Sequence, residues 1–209
     1  MVLEIVSLAD LLQEVDESTV SKILADFKTI PDFRTGDTHD VEKFLNDNAI
    51  QFQKMGLAAT HLIYSSYKDK NILVGYFAIA NKHLVLNSKV FNKLSNNYKK
   101  RFQKIGYRLH IQNGKNNRAD LVVPSFLIGQ LGLNYSEEAR NTGSLNGYNL
   151  MALAEEVIDQ AVSTINGKYI WLECQPHEKL LNFYEKCGYT QVVDYKDQNN
   201  GLCVFVKKI

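Results

Sequence analysis

The chain has 209 residues, 45% hydrophobic and 22% charged, which is room for one generous α/β domain. Its formal net charge is only +1, and its three cysteines, odd in number and without CxxC spacing, argue against a disulfide framework or a zinc site, so no metal is expected. No run reaches membrane-spanning length, and the opening MVLEIVSLADLLQEVD carries Glu4 and Asp10 where a secretory leader needs an unbroken apolar run, so a cytoplasmic location is expected.

VLEIVSL reads as a first strand, followed by a short helix over residues 9–15. Pro31 and Gly36 interrupt any helix in the stretch that follows. Asp40 is placed to cap a helix through VEKFLNDNAIQFQKMG, in which Val41, Phe44, Leu45, Ala49 and Phe52 fall at helical spacing and Gly56 ends the run. ATHLIYSSY and NILVGYFAIAN read as paired strands joined by a polar KDKN turn. Residues 87–118 form a basic, Asn-rich insertion containing one helix at KVFNKLSNNYKKRFQKI.

The small net charge hides an asymmetry. Residues 70–119 hold eight Lys and three Arg but no Asp or Glu, which leaves 13 basic against 23 acidic residues elsewhere. Such a window either faces a polyanion or merely solvates a helix and some strand edges.

PSFLIGQLGLN reads as an apolar strand with Gly129 and Gly132 inside it, and interior glycines mark a bulge or a close approach. A polar loop, YSEEARNTGSLNG, leads into a periodic helix whose stripe is Leu150, Leu153, Ala154, Val157, Ile158, Ala161, Val162 and Ile165. KYIWLEC is a strand, HEKLLNFYEKC a helix, and YTQVVDY and GLCVFVKK are closing strands. In that last helix Leu180, Phe183, Tyr184 and Cys187 share a face, Gly188 supplies a left-handed stop, and Tyr189 opens the next strand. The fold class is therefore mixed α/β, in one domain over residues 1–209.

Taken in order over residues 124–189, these pieces resemble the GNAT superfamily of acetyl-CoA-dependent N-acetyltransferases. LIGQLGLN looks like the family's fourth strand, NGYNLMALAEEV like its pyrophosphate loop and third helix, and LLNFYEKCGY is similar to its closing motif. The resemblance implies a twisted, mostly antiparallel sheet flanked by helices, with acetyl-CoA entering a V-shaped split between strands 4 and 5. It implies cofactor contacts from Leu131, Gly132 and Leu133, and from backbone groups at Asn146, Gly147, Tyr148 and Asn149. Tyr184 would then protonate the leaving thiolate. Glu173, at the end of the fifth strand, is a candidate base for the attacking amine; otherwise it is a solvent-facing rim residue.

The phosphate loop departs from the family pattern. Gly147 matches the last position of R/Q-x-x-G-x-G/A, but Leu145 and Thr142 stand where Gly and Arg or Gln are usual, and the loop is longer. Arg140-x-x-Gly143 is an alternative register. The segment from THDVEKFL to GYFAIANK is similar to a toxin-type subset that acetylates aminoacyl-tRNA, and the 70–119 window would suit tRNA phosphates. A small amine or a protein amino group are the other expected acceptors, a homodimer is possible in this family, and a GNAT-like acyl-CoA-binding or interaction module without turnover is the alternative function.

Overall fold

The computed structural model describes residues 2–32, 35–113, 116–197 and 200–209. The chain forms two compact units, one of Met1–Ala80 with Ile128–Val157 and one of Asn81–Leu127 with Ile158–Ile209. A mostly antiparallel sheet of seven strands and a second sheet of three carry the helices.

In the first unit, β1 (Leu3–Ser7), β2 (Ala59–Tyr67) and β3 (Lys70–Ala80) pair antiparallel in register, with a bulge between Ile63 and Tyr64. The β2–β3 turn is made by Lys68 and Asp69, both at positive φ, which matches the twist of a tight hairpin. One face of this sheet is covered by α1 (Leu8–Glu14), α2 (Glu17–Ala25), α3 (Asp40–Lys43) and α4 (Ala49–Lys54), around a core of Leu8, Val20, Leu24, Phe27, Leu45, Leu62 and Tyr76. α2 fills part of the stretch that the sequence left unassigned, capped by Asp16.

The helix expected from Asp40 differs in two respects. His39, not Asp40, is its N-cap, accepting from the Val41 N–H through Nδ1 at 3.3 Å. It is also broken by a π-helical segment, Phe44–Asn48, between α3 and α4. Gly56 ends α4 at φ +67, as its position predicted.

The second unit holds β4 (Leu84–Leu86), α5 (Ser88–Lys93), α6 (Asn96–Ile105), β5 (Tyr107–Asn113) and β6 (Asn116–Val123). β4, β6 and β5 form the separate antiparallel sheet, which periodicity did not reveal because polar residues occupy so much of it. The single helix expected at 89–105 is two helices. Leu94 is extended (ψ 151°) and Ser95 starts α6 by accepting from the Tyr98 N–H. β8 (Tyr169–Cys174), α9 (Glu178–Lys186), β9 (Thr190–Val193) and β10 (Cys203–Lys208) complete the unit.

β7 (Ser125–Leu133) begins in the second unit and ends in the first. It runs parallel to β8 and pairs with it through Ser125–Tyr169, Phe126–Ile170 and Leu127–Trp171, so residues 128–133 lie beyond that ladder. The sheet order is β1-β2-β3-β7-β8-β10-β9, and the interrupted ladder falls between its fourth and fifth strands. The loop expected after β7 contains a short helix, α7 (Glu137–Thr142), before α8 (Gly147–Val162).

Candidate active site

In the first unit the end of β7 and the start of α8 meet at a glycine. A Cβ on Gly75 of β3 would lie 2.7 Å from Leu145 Cδ2, 3.0 Å from the Gly132 carbonyl oxygen and 3.6 Å from Leu150 Cδ1. The absence of that atom lets the loop before α8 and the backbone of β7 reach the same spot. On the other face Gly132 is equally constrained, because its Cβ would sit 2.5 Å from Val41 and 3.0 Å from Phe27. Leu131 and Leu133 on either side of it are half-buried. Gly75, inside the apolar run ILVGYFAIA, carries the same sequence signal as Gly129 and Gly132.

Asn134 fixes where β7 ends. Its Nδ2 donates to the Leu73 carbonyl (2.7 Å), and its Oδ1 accepts from the N–H groups of Lys28 (3.1 Å) and Ser136 (2.9 Å). The Asn134 N–H itself donates to the Val74 carbonyl at 2.9 Å. A cleft of about 260 Å³ beside it is lined by the carboxylates of Asp26 and Glu138, which make it a poor host for phosphate.

Gly143 (φ +57) ends α7, its N–H donating to the Arg140 carbonyl. The Arg140-x-x-Gly143 register therefore closes a helix instead of opening one. α8 begins after Asn146, whose carbonyl accepts from the Leu150 N–H and whose Oδ1 accepts from the Asn149 N–H at 3.0 Å. Asn146 is thus an N-cap, and the Asn149 N–H, expected to face a pyrophosphate, is already engaged. Tyr148, half exposed, stands at the first turn.

In the second unit Tyr184 is held by aromatic rings: Phe183 at 5.1 Å, Phe205 of β10 at 5.7 Å and Tyr189 at 6.3 Å. The helix end that carries it is a Schellman motif. The Tyr189 N–H donates to the Tyr184 carbonyl (3.0 Å), the Gly188 N–H donates to Glu185 (2.9 Å), and Gly188 has φ +86. The ring contact between Tyr184 and Tyr189 is the apolar contact that accompanies such an end.

Glu173 is exposed on β8, opposite Val204. Along β8 it shares a face with Tyr169 and Trp171, which pack in the core beneath α5 and α6. Tyr184 packs on Phe205, which β10 presents to the other face. The structure does not bring these two candidate groups together. Among the described residues no group of three or more His, Cys, Asp or Glu could hold a metal ion, and no helix is long and apolar enough to cross a membrane.

Burial lowers the pKa of the His61 imidazole, which stacks on Phe77 at 5.1 Å, with Asp10 opposing the shift. Burial likewise lifts the Tyr76 phenol well above its usual range; its hydroxyl donates to the Val41 carbonyl at 2.6 Å.

No protein-family model matches the sequence, and no curated protein matches it. Solved structures do. AtaTR bound with acetyl-CoA superposes with a TM-score of 0.54 at 14% identity, covering 99% of this chain and 92% of that one. A tyrosine-to-phenylalanine mutant of KacT gives 0.56 at 17% identity, with 99% and 95% covered. AtaT complexed with acetyl-methionyl-tRNAfMet gives 0.55 at 16% identity, with 98% and 94% covered. AtaT and KacT are GNAT-type acetyltransferase toxins, and at these identities the likeness is one of architecture. The strand order and the β7–β8 ladder that stops after Leu127 agree with it: this chain has the GNAT fold.

Proposed function

We propose that this protein is a single-domain N-acetyltransferase that transfers the acetyl group of acetyl-CoA to a primary amine. The observation that carries the reading is Tyr184, set among Phe183, Tyr189 and Phe205 at the end of α9 on a GNAT fold. In the first unit the residues fit a diphosphate: the N–H groups of Gly147 and Tyr148 open α8 after the cap residue, and a helix N-terminus favours anions.

Acetyl-CoA supplies a thioester carbonyl and a thiolate leaving group. The amine nitrogen forms the new C–N bond as the C–S bond breaks. Tyr184 gives its phenolic proton to sulfur, and the amine's surplus proton passes to solvent or to a base relayed by water. Backbone groups of Leu131 and Leu133 hold the acetyl carbonyl and pantetheine.

Radiolabelled acetyl-CoA offered with pools of amines, peptides and charged tRNA tests the reaction. Tyr184→Phe should lower kcat by about 100-fold or more while acetyl-CoA affinity by calorimetry stays the same. Unchanged turnover removes the acid role, and binding without transfer leaves an acyl-CoA-binding module.

One observation favours an aminoacyl-tRNA acceptor. Lys100, Arg101 and Lys104 are exposed on α6, inside a window without a carboxylate, whereas Lys93 of α5 is paired with Asp197. Phosphate contacts make affinity fall steeply with salt, by roughly 0.9 in log–log slope per contact. Charge reversal of the three α6 cations should reduce that slope by about 2–3; tRNA binding indifferent to salt would end this reading. Lys115 and the Arg118 side chain of the same window lie outside the described groups.

A further inference from the structure

We propose that Lys207 is a positioning residue for Tyr184, an inference that rests on the acid role given to Tyr184 above. Lys207 belongs to β10, two residues beyond Phe205, so the two side chains leave the strand on the same face. That face carries an unbroken series of contacts. Phe205 meets Tyr184 at 5.7 Å, Tyr184 meets Tyr189 edge-on at 6.3 Å, and the Lys207 ammonium lies 5.5 Å from the centre of the Tyr189 ring. Tyr184 is thereby held between two anchors on one strand.

The ammonium also finishes the helix. The last carbonyls of a helix have no partner within it, and a cation there opposes the negative end of the helix dipole. The Schellman motif uses the carbonyls of Tyr184 and Glu185. Lys207 Nζ donates to the carbonyl of the C-cap residue, Cys187, at 3.0 Å.

To reach it, the side chain crosses Gly188. A Cβ on Gly188 would stand 3.6 Å from Lys207 Cε and 3.8 Å from Nζ. Those are ordinary van der Waals distances, so Gly188 is required by the left-handed turn (φ +86) and the lysine lies in contact range over it. With a neutral, shorter-reaching side chain at 207, the Cys187 carbonyl loses its donor and the Tyr189 ring loses its cation, within about 6 Å the range of cation–π attraction. The backbone between residues 184 and 189 is then freer to shift, and small displacements of a reacting group cost rate far more than binding.

The experiment compares Lys207→Met, Lys207→Arg and Lys208→Met, the last on the exposed neighbouring position. Lys207→Met should lower kcat roughly tenfold, with KM for acetyl-CoA within about twofold. Lys207→Arg should recover most of the loss, and Lys208→Met should match the wild type. In a Tyr184→Phe background Lys207→Met should cost nothing further.

A fluorine label on the Tyr189 ring, read by 19F NMR, should broaden or shift in Lys207→Met but not in Lys207→Arg. A purely structural lysine would lower the melting temperature while leaving kcat per acetyl-CoA-binding site unchanged, which overturns the proposal. So does an unmoved fluorine resonance. If Tyr184→Phe itself leaves turnover intact, the acid reading has failed, and the fluorine signal alone decides whether Lys207 holds the ring.

Discussion

The candidate groups of the two units are made in opposite ways. In the first unit it is atoms left out that matter: Gly75 and Gly132 let Leu145, Val41 and Phe27 crowd onto the strands, and the groups proposed to meet a ligand are backbone ones. In the second unit it is atoms present that matter, since Tyr184 packs against the rings of Phe183, Tyr189 and Phe205, and the Lys207 ammonium lies over the Tyr189 ring. A backbone cradle tolerates side-chain drift. A ring held by other rings does not. That difference in tolerance fits the sequence, in which the loop proposed to meet phosphate departs from the GNAT pattern while the segment LLNFYEKCGY resembles it closely.

The contrast can be broken from either side, by removing atoms from one unit or adding them to the other. The largest effect belongs to Phe205→Ala, because the ring is fully buried: about 3–5 kcal/mol lost, with a fall in melting temperature of roughly 6–20 °C. Adding one methyl in the first unit comes next. Gly132→Ala drives a Cβ to 2.5 Å from Val41 Cγ1, and overpacking of that kind costs about 1–3 kcal/mol, measurable by urea denaturation.

Asn146→Ala separates the cap from the ligand. It should cost the unliganded protein about 1 kcal/mol but release the Asn149 N–H. The rise in melting temperature produced by saturating acetyl-CoA should then grow, and an unchanged or smaller rise would show that the N–H takes no part.

The smallest effect is a pH slope. The folded His61 has its pKa below the usual value through burial, so on acidification the unfolded chain takes up the proton first. Stability is therefore full above the unfolded pKa and declines as pH falls below it. His61→Phe should flatten that decline between neutral pH and about pH 5, as followed by denaturant midpoints at each pH.

The same division governs how much was legible in the sequence. The apolar β3 and β7, the α8 stripe, the Gly188 stop and the aromatic end of α9 each have a local signature, and each stands where that signature places it. What was hidden depends on partners distant in the chain. Lys207 reaches Cys187 across 20 positions, and Asn134 reaches Leu73 across 61, so neither role has a local pattern. The β4–β6–β5 sheet was obscured by its polar residues, and the break at Leu94 needed Ser95 to be recognised as a cap. Asn146 is ambiguous in sequence for a different reason. An Asn before a helix is both a ligand-facing loop residue and a helix cap, and only coordinates show its carboxamide turned back onto the Asn149 N–H.

The π-helical segment Phe44–Asn48 acts as a correction of phase. In a regular α-helix each step of four residues overshoots a full turn by about 40°, so Val41, Leu45 and Ala49 would fan progressively around the cylinder. A wider turn takes back part of that overshoot. Leu45 and Ala49 are fully buried, and Val41 touches the Gly132 position, so all three point at the sheet. The helix keeps time with a strand by carrying one residue more than regularity allows. Deleting a single residue between 44 and 48 would remove that extra residue: seven α-helical steps from Val41 to Ala49 then sum to about 700°, within about 20° of two full turns, so the run would become regular helix with Ala49 still turned to the core.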